Sequence, residues 1–124
     1  MAHILVIDDD PDIRDTVRRT LESRGHTVEV ADDGSRGIDA LAARAPDLVI
    51  TDVFMPRQDG VETLLELRKA FPRLRVIAMS GGSSSGLINL LEEMEMLGAN
   101  QTIPKPFTPK ELMKAVNEVL ARPR

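Results

Sequence analysis

Residues 3–11, with the sequence HILVIDDDP, are the part of this chain that most clearly indicates its fold. His3–Asp8 is a nearly continuous apolar run that ends in an acid, which is typical of a strand buried on both faces of a parallel sheet. Asp10 followed by Pro11 has the pattern of a helix N-cap and a first helical residue. Because a buried strand that leads directly into a helix is the repeating unit of α/β proteins, we expect an α/β fold.

The same strand–helix unit recurs along the chain and predicts five units joined by right-handed crossovers. Four more strands are predicted at Thr27–Ala31, Asp47–Asp52, Arg75–Ser80 and Gln101–Lys105. Helices are predicted from Asp10 to Gly25, from about Ser35 to Arg44, from Val61 to before Pro72, over Leu87–Leu97, and after a capping box at Thr108–Glu111, with loops at Met55–Gly60 and Gly81–Gly86. One face of the second helix is expected to carry Ile38, Leu41 and Ala42, and the third helix is indicated by Val61, Leu64, Leu65 and Leu67.

Polar residues stand where these predicted strands end. Asp8 and Asp9 follow the first strand, Asp52 ends the third, Ser80 ends the fourth and Lys105 ends the fifth. The carboxyl ends of parallel strands open onto one edge of the sheet, where ligands bind in open α/β folds. We therefore expect these five side chains to meet in one cleft, as a set suited to a divalent cation and a phosphoryl group held together.

Composition narrows the function classes. The 124 residues fit one domain, and 42% hydrophobic with 29% charged residues is a normal globular balance. The chain has no Cys, which excludes thiolate metal sites, and no Trp or Tyr, which removes most stacking platforms for bases or a flat ring cofactor. The net charge of −4 argues against direct nucleic-acid binding. Since no apolar run has membrane-spanning length and no signal-peptide pattern is seen, we expect a soluble, cytoplasmic protein with no membrane partner.

The three carboxylates of the expected cleft would repel one another, so the site needs either protonation or a hard cation. Mg²⁺ takes oxygen ligands and typically bridges a protein carboxylate and a phosphate. A carboxylate at Asp52 can act as a nucleophile toward phosphorus, giving an aspartyl phosphate. Ser80 can donate a hydrogen bond to a phosphoryl oxygen, and Lys105 can supply a flexible positive charge. An acidic loop with a helix cap is the alternative for the acidic run, and we assign that role to Asp10.

These residues carry a resemblance to a known family. In order and spacing, the chain resembles the receiver domain of the response regulators of two-component signalling. The resembling motifs are Ile7, Asp8 and Asp9; Thr51 and Asp52 with Met55, Pro56, Asp59 and Gly60; Met79, Ser80 and Gly81; and Lys105, Pro106 and Phe107. The resemblance implies a CheY-like, flavodoxin-like fold: a doubly wound five-stranded parallel sheet of order 2-1-3-4-5 flanked by five helices. It also implies a receiver domain over residues 1–121 with a frayed tail at 122–124.

The resemblance further implies what the site does. Asp52 would be phosphorylated by a histidine kinase or a phosphotransfer protein, in a domain that is not an enzyme but assists its own phosphorylation and dephosphorylation. Mg²⁺ would be bound by Asp9 and Asp52 directly, by the backbone carbonyl of Phe54, and by Asp8 largely through water. The Lys105–Pro106 peptide bond would be cis. Phosphorylation would switch a surface of helix four, strand five and helix five toward a target protein, an output domain or a homodimer, with Ser80 and the position of Thr102 as switch residues.

The chain departs from the family pattern at three positions. Thr102 stands where these domains usually carry a Tyr or Phe, so a switch based on an aromatic side chain is in doubt. Pro104 removes one ladder N–H, so the fifth strand should be an edge or distorted. Phe54 is apolar where many relatives have a polar residue.

Three other functions compete with that of a phosphorylated receiver. An aspartate-nucleophile phosphatase of the haloacid dehalogenase type needs a second Asp two positions after the first, where this chain has Phe54. A flavodoxin-like flavin carrier needs a Ser/Thr/Gly phosphate loop after the first strand, where Asp8–Asp10 would repel a phosphate. A degenerate receiver that acts as a phosphate-independent interaction module remains open, although all five site positions are chemically competent.

Overall fold

The computed structural model describes residues 1–52, 60–80 and 98–122, with side chains for all of these except 60–64 and 80. The strands are β1 (His3–Ile7), β2 (Thr27–Ala31), β3 (Leu48–Asp52), β4 (Val76–Ser80) and β5 (Gln101–Pro104). The helices within the described residues are α1 (Pro11–Ser23), α2 (Gly34–Ala43), α3 (Gly60–Ala70) and the C-terminal helix (Pro109–Ala121). The predicted strands are confirmed, with ends that differ by at most one residue.

All four neighbouring strand pairs are parallel, and the sheet has the order β2-β1-β3-β4-β5. This confirms the doubly wound fold. Because successive strands run outward from β1 to one side and from β3 to the other, the connections after β1 and β3 diverge and leave a crevice at the carboxyl edge. β5 lies at the sheet edge, as the proline at position 104 requires.

Local sequence signals set the helix ends. Asp10 caps α1, its side chain accepting a hydrogen bond from the Asp12 backbone N–H, and Pro11 is the first helical residue. Gly25, just after the end of α1, has a φ of 89°, a conformation that glycine adopts without strain. The predicted capping box is present at the C-terminal helix, where Thr108 and Glu111 exchange side-chain and backbone hydrogen bonds.

The sheet separates two apolar clusters. On one face, α1 and the C-terminal helix cover β1, β3 and β4, and the buried residues include Val17, Leu21, Leu112 and Val116. On the other face, α2 and α3 contribute Leu41 and Leu67, which pack with Leu5, Ile7 and Val49. The central strands are buried on both sides, which explains why β1 and β3 read as continuous apolar runs.

The face predicted for the second helix is wrong at one position. Ala42 is exposed, and the buried face of α2 runs through Gly34, Gly37 and Leu41. The reason is close packing: a Cβ at Gly37 would overlap the side chain of Ile7, so α2 approaches β1 through a glycine and turns Ala42 to solvent.

Leu65 is 49% exposed, whereas Leu67 is buried. Residues i and i+2 of an α-helix point about 200° apart around its axis, so Leu65 and Leu67 cannot both face the same core.

Some predictions lie outside the described residues. Of the predicted loop at Met55–Gly60, only Gly60 is described, as the first residue of α3. The predicted loop Gly81–Gly86 and the predicted helix Leu87–Leu97 fall outside, as do positions 123 and 124 of the tail. Arg122, also placed in the tail, donates hydrogen bonds to the Asn100 carbonyl and the Gln101 side chain. No helix in the described part is long and apolar enough to cross a membrane.

Candidate functional site

The strand ends bring the expected residues to one edge of the sheet. Asp8 follows β1, Asp52 is the last residue of β3, and Lys105 follows β5. The backbone of Ser80 ends β4, in register with Pro104 of β5. Asp8 is fully buried and Asp52 nearly so, while Asp9 is exposed. Residues from four separate parts of the chain therefore converge because the sheet aligns their strands.

The ammonium of Lys105 lies between two of the carboxylates. Its Nζ is 2.7 Å from Asp8 Oδ2 and 3.4 Å from Asp52 Oδ2, and the Lys105 side chain is largely buried. The contact with Asp8 has the length of a charge-assisted hydrogen bond, and the longer contact with Asp52 is an ion pair. The sequence predicts that protonation or a hard cation relieves the carboxylate repulsion and that Lys105 pairs with a phosphoryl group. In the structure, Lys105 itself supplies compensating charge.

Asp8 and Asp9 have different environments despite being neighbours. All four polar atoms of Asp8 are engaged: its N–H donates to the Ala31 carbonyl, its Oδ1 accepts from the Asp10 N–H, its Oδ2 contacts Lys105, and its backbone carbonyl accepts from Arg14. Asp9 makes no hydrogen bond or ion pair with the described residues. Asp8 is therefore part of the framework, whereas Asp9 offers its carboxylate to solvent or to a ligand.

The acidic cluster fits a divalent cation. Asp8, Asp9 and Asp52 each offer one carboxylate oxygen, and these three oxygens lie within 4.8 Å of one another. An all-oxygen set in which one carboxylate is exposed matches the preference of Mg²⁺, which binds through a few carboxylates and keeps several waters.

Two expected features of the site lie outside what the structure describes. The Phe54 carbonyl, expected as a metal ligand, belongs to an undescribed residue, and only the backbone of Ser80 is described. Thr102 is half-buried on β5, paired in register with Ala78 of β4. Their functional roles stay predictions.

The segment after β5 borders the site. The Lys105–Pro106 bond is cis, as expected from the resemblance, and Phe107 packs against the core cluster that contains Leu112. A mainly apolar groove of about 420 Å³ opens next to Lys105, between this segment and the Ile13 and Thr16 face of α1. The site thus has a buried charged end and an adjoining apolar surface.

Sequence analysis missed one residue at the site, Arg14. Its Nη1 atom donates to the backbone carbonyl of Asp8 at 2.9 Å. Arg14 lies one helical turn after the N-cap of α1, and its backbone N–H donates to the Asp10 carbonyl. An arginine in the first turns of a helix that directly follows a strand-end acid is a signal that could have identified it.

The doubly wound sheet with an acidic cluster and a lysine at its carboxyl edge defines the class: an α/β domain with a ligand site at the ends of its strands. Comparison with protein families is consistent with that class and narrows it. The response regulator receiver domain model matches residues 4–117. The chain belongs to this receiver-domain family, whose proteins act in two-component signalling.

Similar curated proteins are longer than this chain. The response regulator MprA of Mycolicibacterium vanbaalenii is 37% identical over 123 residues, covering 98% of this chain and 51% of the relative. MprA of Mycobacterium bovis is 36% identical over the same length. The chain spans about half the length of these curated relatives.

Solved structures agree in fold. The receiver domain of NtrX from Brucella abortus superposes with a TM-score of 0.90 at 35% identity, covering 97% of this chain and 99% of that one. The chemotaxis protein CheY4 of Vibrio cholerae gives a TM-score of 0.86 at 30% identity, covering 96% and 98%. Both similarities extend over nearly the whole domain.

Proposed function

We propose that this chain is a phosphoacceptor: Asp52 takes a phosphoryl group from a histidine kinase or a phosphotransfer protein in the presence of Mg²⁺. The observation that carries the proposal is the position of the Lys105 ammonium, 2.7 Å from Asp8 Oδ2 and 3.4 Å from Asp52 Oδ2, beside a third carboxylate on Asp9. An acceptor carboxylate with a cation already in contact can receive negative charge at the same place.

The transfer step is a nucleophilic displacement at phosphorus. An Asp52 carboxylate oxygen forms a bond to phosphorus while the bond to the donor histidine nitrogen breaks, and the imidazole leaves with the electron pair and takes up a proton. Mg²⁺, bound by Asp9, Asp52, the Phe54 carbonyl and, through water, Asp8, would neutralise charge on the phosphoryl oxygens. Lys105 would turn from the carboxylates to a phosphoryl oxygen, and Ser80 would donate a hydrogen bond to another.

We further propose that the protein works as a switch and does not turn over a separate substrate. Residues 1–121 form the receiver domain in this proposal. Phosphorylation would act through Ser80 and Thr102 on the surface of the fourth helix, β5 and the C-terminal helix, which would bind a target protein, an output domain or a second copy. Thr102 is small, so this switch does not need a large side chain to swing inward. The apolar groove beside Lys105 is a suitable contact surface for the phosphodonor protein.

The test is phosphorylation by a small phosphodonor, followed as a phosphate-sized gain in intact mass. Wild type is expected to gain one phosphate with Mg²⁺ and none in EDTA, and Asp52→Asn is expected to gain none. Asp39→Asn is the matched control, because Asp39 is an exposed aspartate on α2, away from the acidic cluster. Labelling of Asp52→Asn, or labelling that persists in EDTA, would contradict the proposal.

A further inference from the structure

Arg14 donates a hydrogen bond to the backbone of Asp8 and not to its carboxylate. β2 ends at Ala31, opposite Ile7, so no strand residue lies beyond it to pair with the carbonyl of Asp8. A backbone carbonyl at the buried end of a strand needs a donor. Arg14 Nη1 supplies it at 2.9 Å from the next helix.

This hydrogen bond fixes the orientation of the peptide unit between Asp8 and Asp9. The unit is planar, so holding its carbonyl oxygen also sets the direction in which the backbone enters Asp9. The other atoms of Asp8 are held by Ala31, Asp10 and Lys105, whereas the Asp9 carboxylate has no partner among the described residues. The position of the Asp9 carboxylate therefore depends on its backbone, and Arg14 is the side chain that holds that backbone.

Other arginines of α1 are engaged differently. Arg18 pairs with Asp15 and Glu22, and Arg19 pairs with Asp15, all on the solvent side of the helix. The Arg14 side chain forms no ion pair with the described residues, and the Asp8 carbonyl is the one acceptor to which its guanidinium donates there. It borders a polar cavity of about 390 Å³ with Asp32 and Arg36, which pair with each other. Surface ion pairing therefore does not account for the placement of Arg14.

We infer that Arg14 is a positioning residue for the divalent cation: it orients Asp9 toward Asp52 through the Asp8 backbone carbonyl and does not itself bond a carboxylate oxygen of the cluster. This inference rests on the proposed function, because it assigns Arg14 a role at the same site. If only the charge of Arg14 mattered, the opposite change in Mg²⁺ affinity would be expected on replacing it. Removing a nearby positive charge would strengthen cation binding by the carboxylates, whereas losing the orientation of Asp9 weakens it.

The experiment compares Mg²⁺ affinity, measured by isothermal titration calorimetry, in wild type, Arg14→Met, Arg14→Lys and Arg19→Met. Met keeps an unbranched stem but removes the donors, and Arg19→Met removes the same charge from the same helix. We expect Arg14→Met to bind Mg²⁺ about tenfold more weakly, as for residues that orient metal ligands. Arg14→Lys should recover part of the loss, and Arg19→Met should bind as wild type or slightly more tightly.

Two further readouts separate positioning from simple stability. The backbone amide signal of Asp9 should shift in metal-free Arg14→Met and not in Arg19→Met. The Mg²⁺ concentration for half-maximal phosphorylation should rise in Arg14→Met, while the rate at saturating Mg²⁺ stays near that of wild type. Equal or tighter Mg²⁺ binding by Arg14→Met overturns the inference. If that variant does not fold, Arg14→Lys decides: affinity equal to wild type overturns the inference, and weaker affinity supports it. Failure of wild type to bind Mg²⁺ would instead refute the proposed function.

Discussion

Replacing Lys105 by Met tests how the acidic cluster is tolerated without metal. The substitution keeps most of the apolar stem and removes the ammonium that contacts Asp8 and Asp52. Asp8 is fully buried, so water cannot solvate its carboxylate once the ammonium is removed. We expect the metal-free variant to be less stable than wild type, because a buried carboxylate is left without its cation.

The size of the effect follows from burial. Removing one partner of a buried ion pair costs about 3–5 kcal/mol. Asp8 keeps its hydrogen bond from the Asp10 N–H, which reduces the loss, so we expect about 3 kcal/mol here. With an unfolding entropy of about 2.1 cal/mol/K per residue over 124 residues, that loss lowers Tm by roughly 11 °C. Mg²⁺ should raise the Tm of the variant more than that of wild type, since the ammonium no longer competes for the carboxylates.

The assay is urea and thermal unfolding in EDTA and in Mg²⁺, followed by far-UV circular dichroism because the chain has no Trp or Tyr. Lys110→Met is the control, since Lys110 is exposed and has no ion pair with the described residues. If Lys105→Met and Lys110→Met unfold within about 0.5 kcal/mol of each other in EDTA, Lys105 is not the charge that stabilises the cluster.

Three other substitutions test further features of the structure. Asp9→Asn should raise Tm slightly in EDTA and weaken Mg²⁺ binding, because it removes a carboxylate that is repelled by Asp8 and Asp52 and that would bind the metal; a lower Tm in EDTA would contradict this. Gly37→Ala should cost about 1–3 kcal/mol in urea unfolding through overlap with Ile7, and Ile7→Val should recover part of it; equal losses in both backgrounds would show that the overlap is relieved elsewhere. Hydrogen bonds from Thr108 lower the pKa of Glu111, so its stabilisation is present above the ordinary carboxyl pKa and is lost as pH falls through the lowered value; Glu111→Gln should therefore destabilise at neutral pH and not in acid, as measured by thermal unfolding across pH.

The strands were predictable because burial on both faces requires a continuous apolar run in the sequence. β1 and β3 are covered on both faces, so nearly every position is apolar and the run ends where the polar edge begins. Helix faces were less predictable. On α2, the helical spacing of apolar residues selected Ala42, whereas the close approach to β1 is made by Gly37, a residue that carries no hydrophobic signal.

The site was predictable in its members but not in its contacts. Asp8, Asp52 and Lys105 could be grouped because parallel strands end at one edge. Spacing along the chain does not report distances, so the 2.7 Å contact between Lys105 and Asp8 could not be predicted. Arg14 could not be predicted for a related reason. Its partner is a backbone carbonyl, and sequence patterns indicate side-chain chemistry more readily than they indicate which backbone groups the fold leaves without a partner.

The contacts of Lys105 have a consequence for the proposed switch. One ammonium serves the carboxylates in the metal-free protein and would serve the phosphoryl group after transfer, so the two interactions exclude each other in part. Leaving Asp8 without its cation would be costly unless another cation takes over, and Mg²⁺ at Asp9 and Asp52 is the group that can do so. The metal requirement of the proposed phosphorylation then has two origins: neutralising the incoming charge, and releasing Lys105 from Asp8. Since Lys105 directly follows β5, its release would act on the same edge strand that carries Thr102. In Lys105→Met the second origin disappears, so phosphorylation of this variant by a small phosphodonor should still need Mg²⁺ but should no longer affect amide exchange in β5.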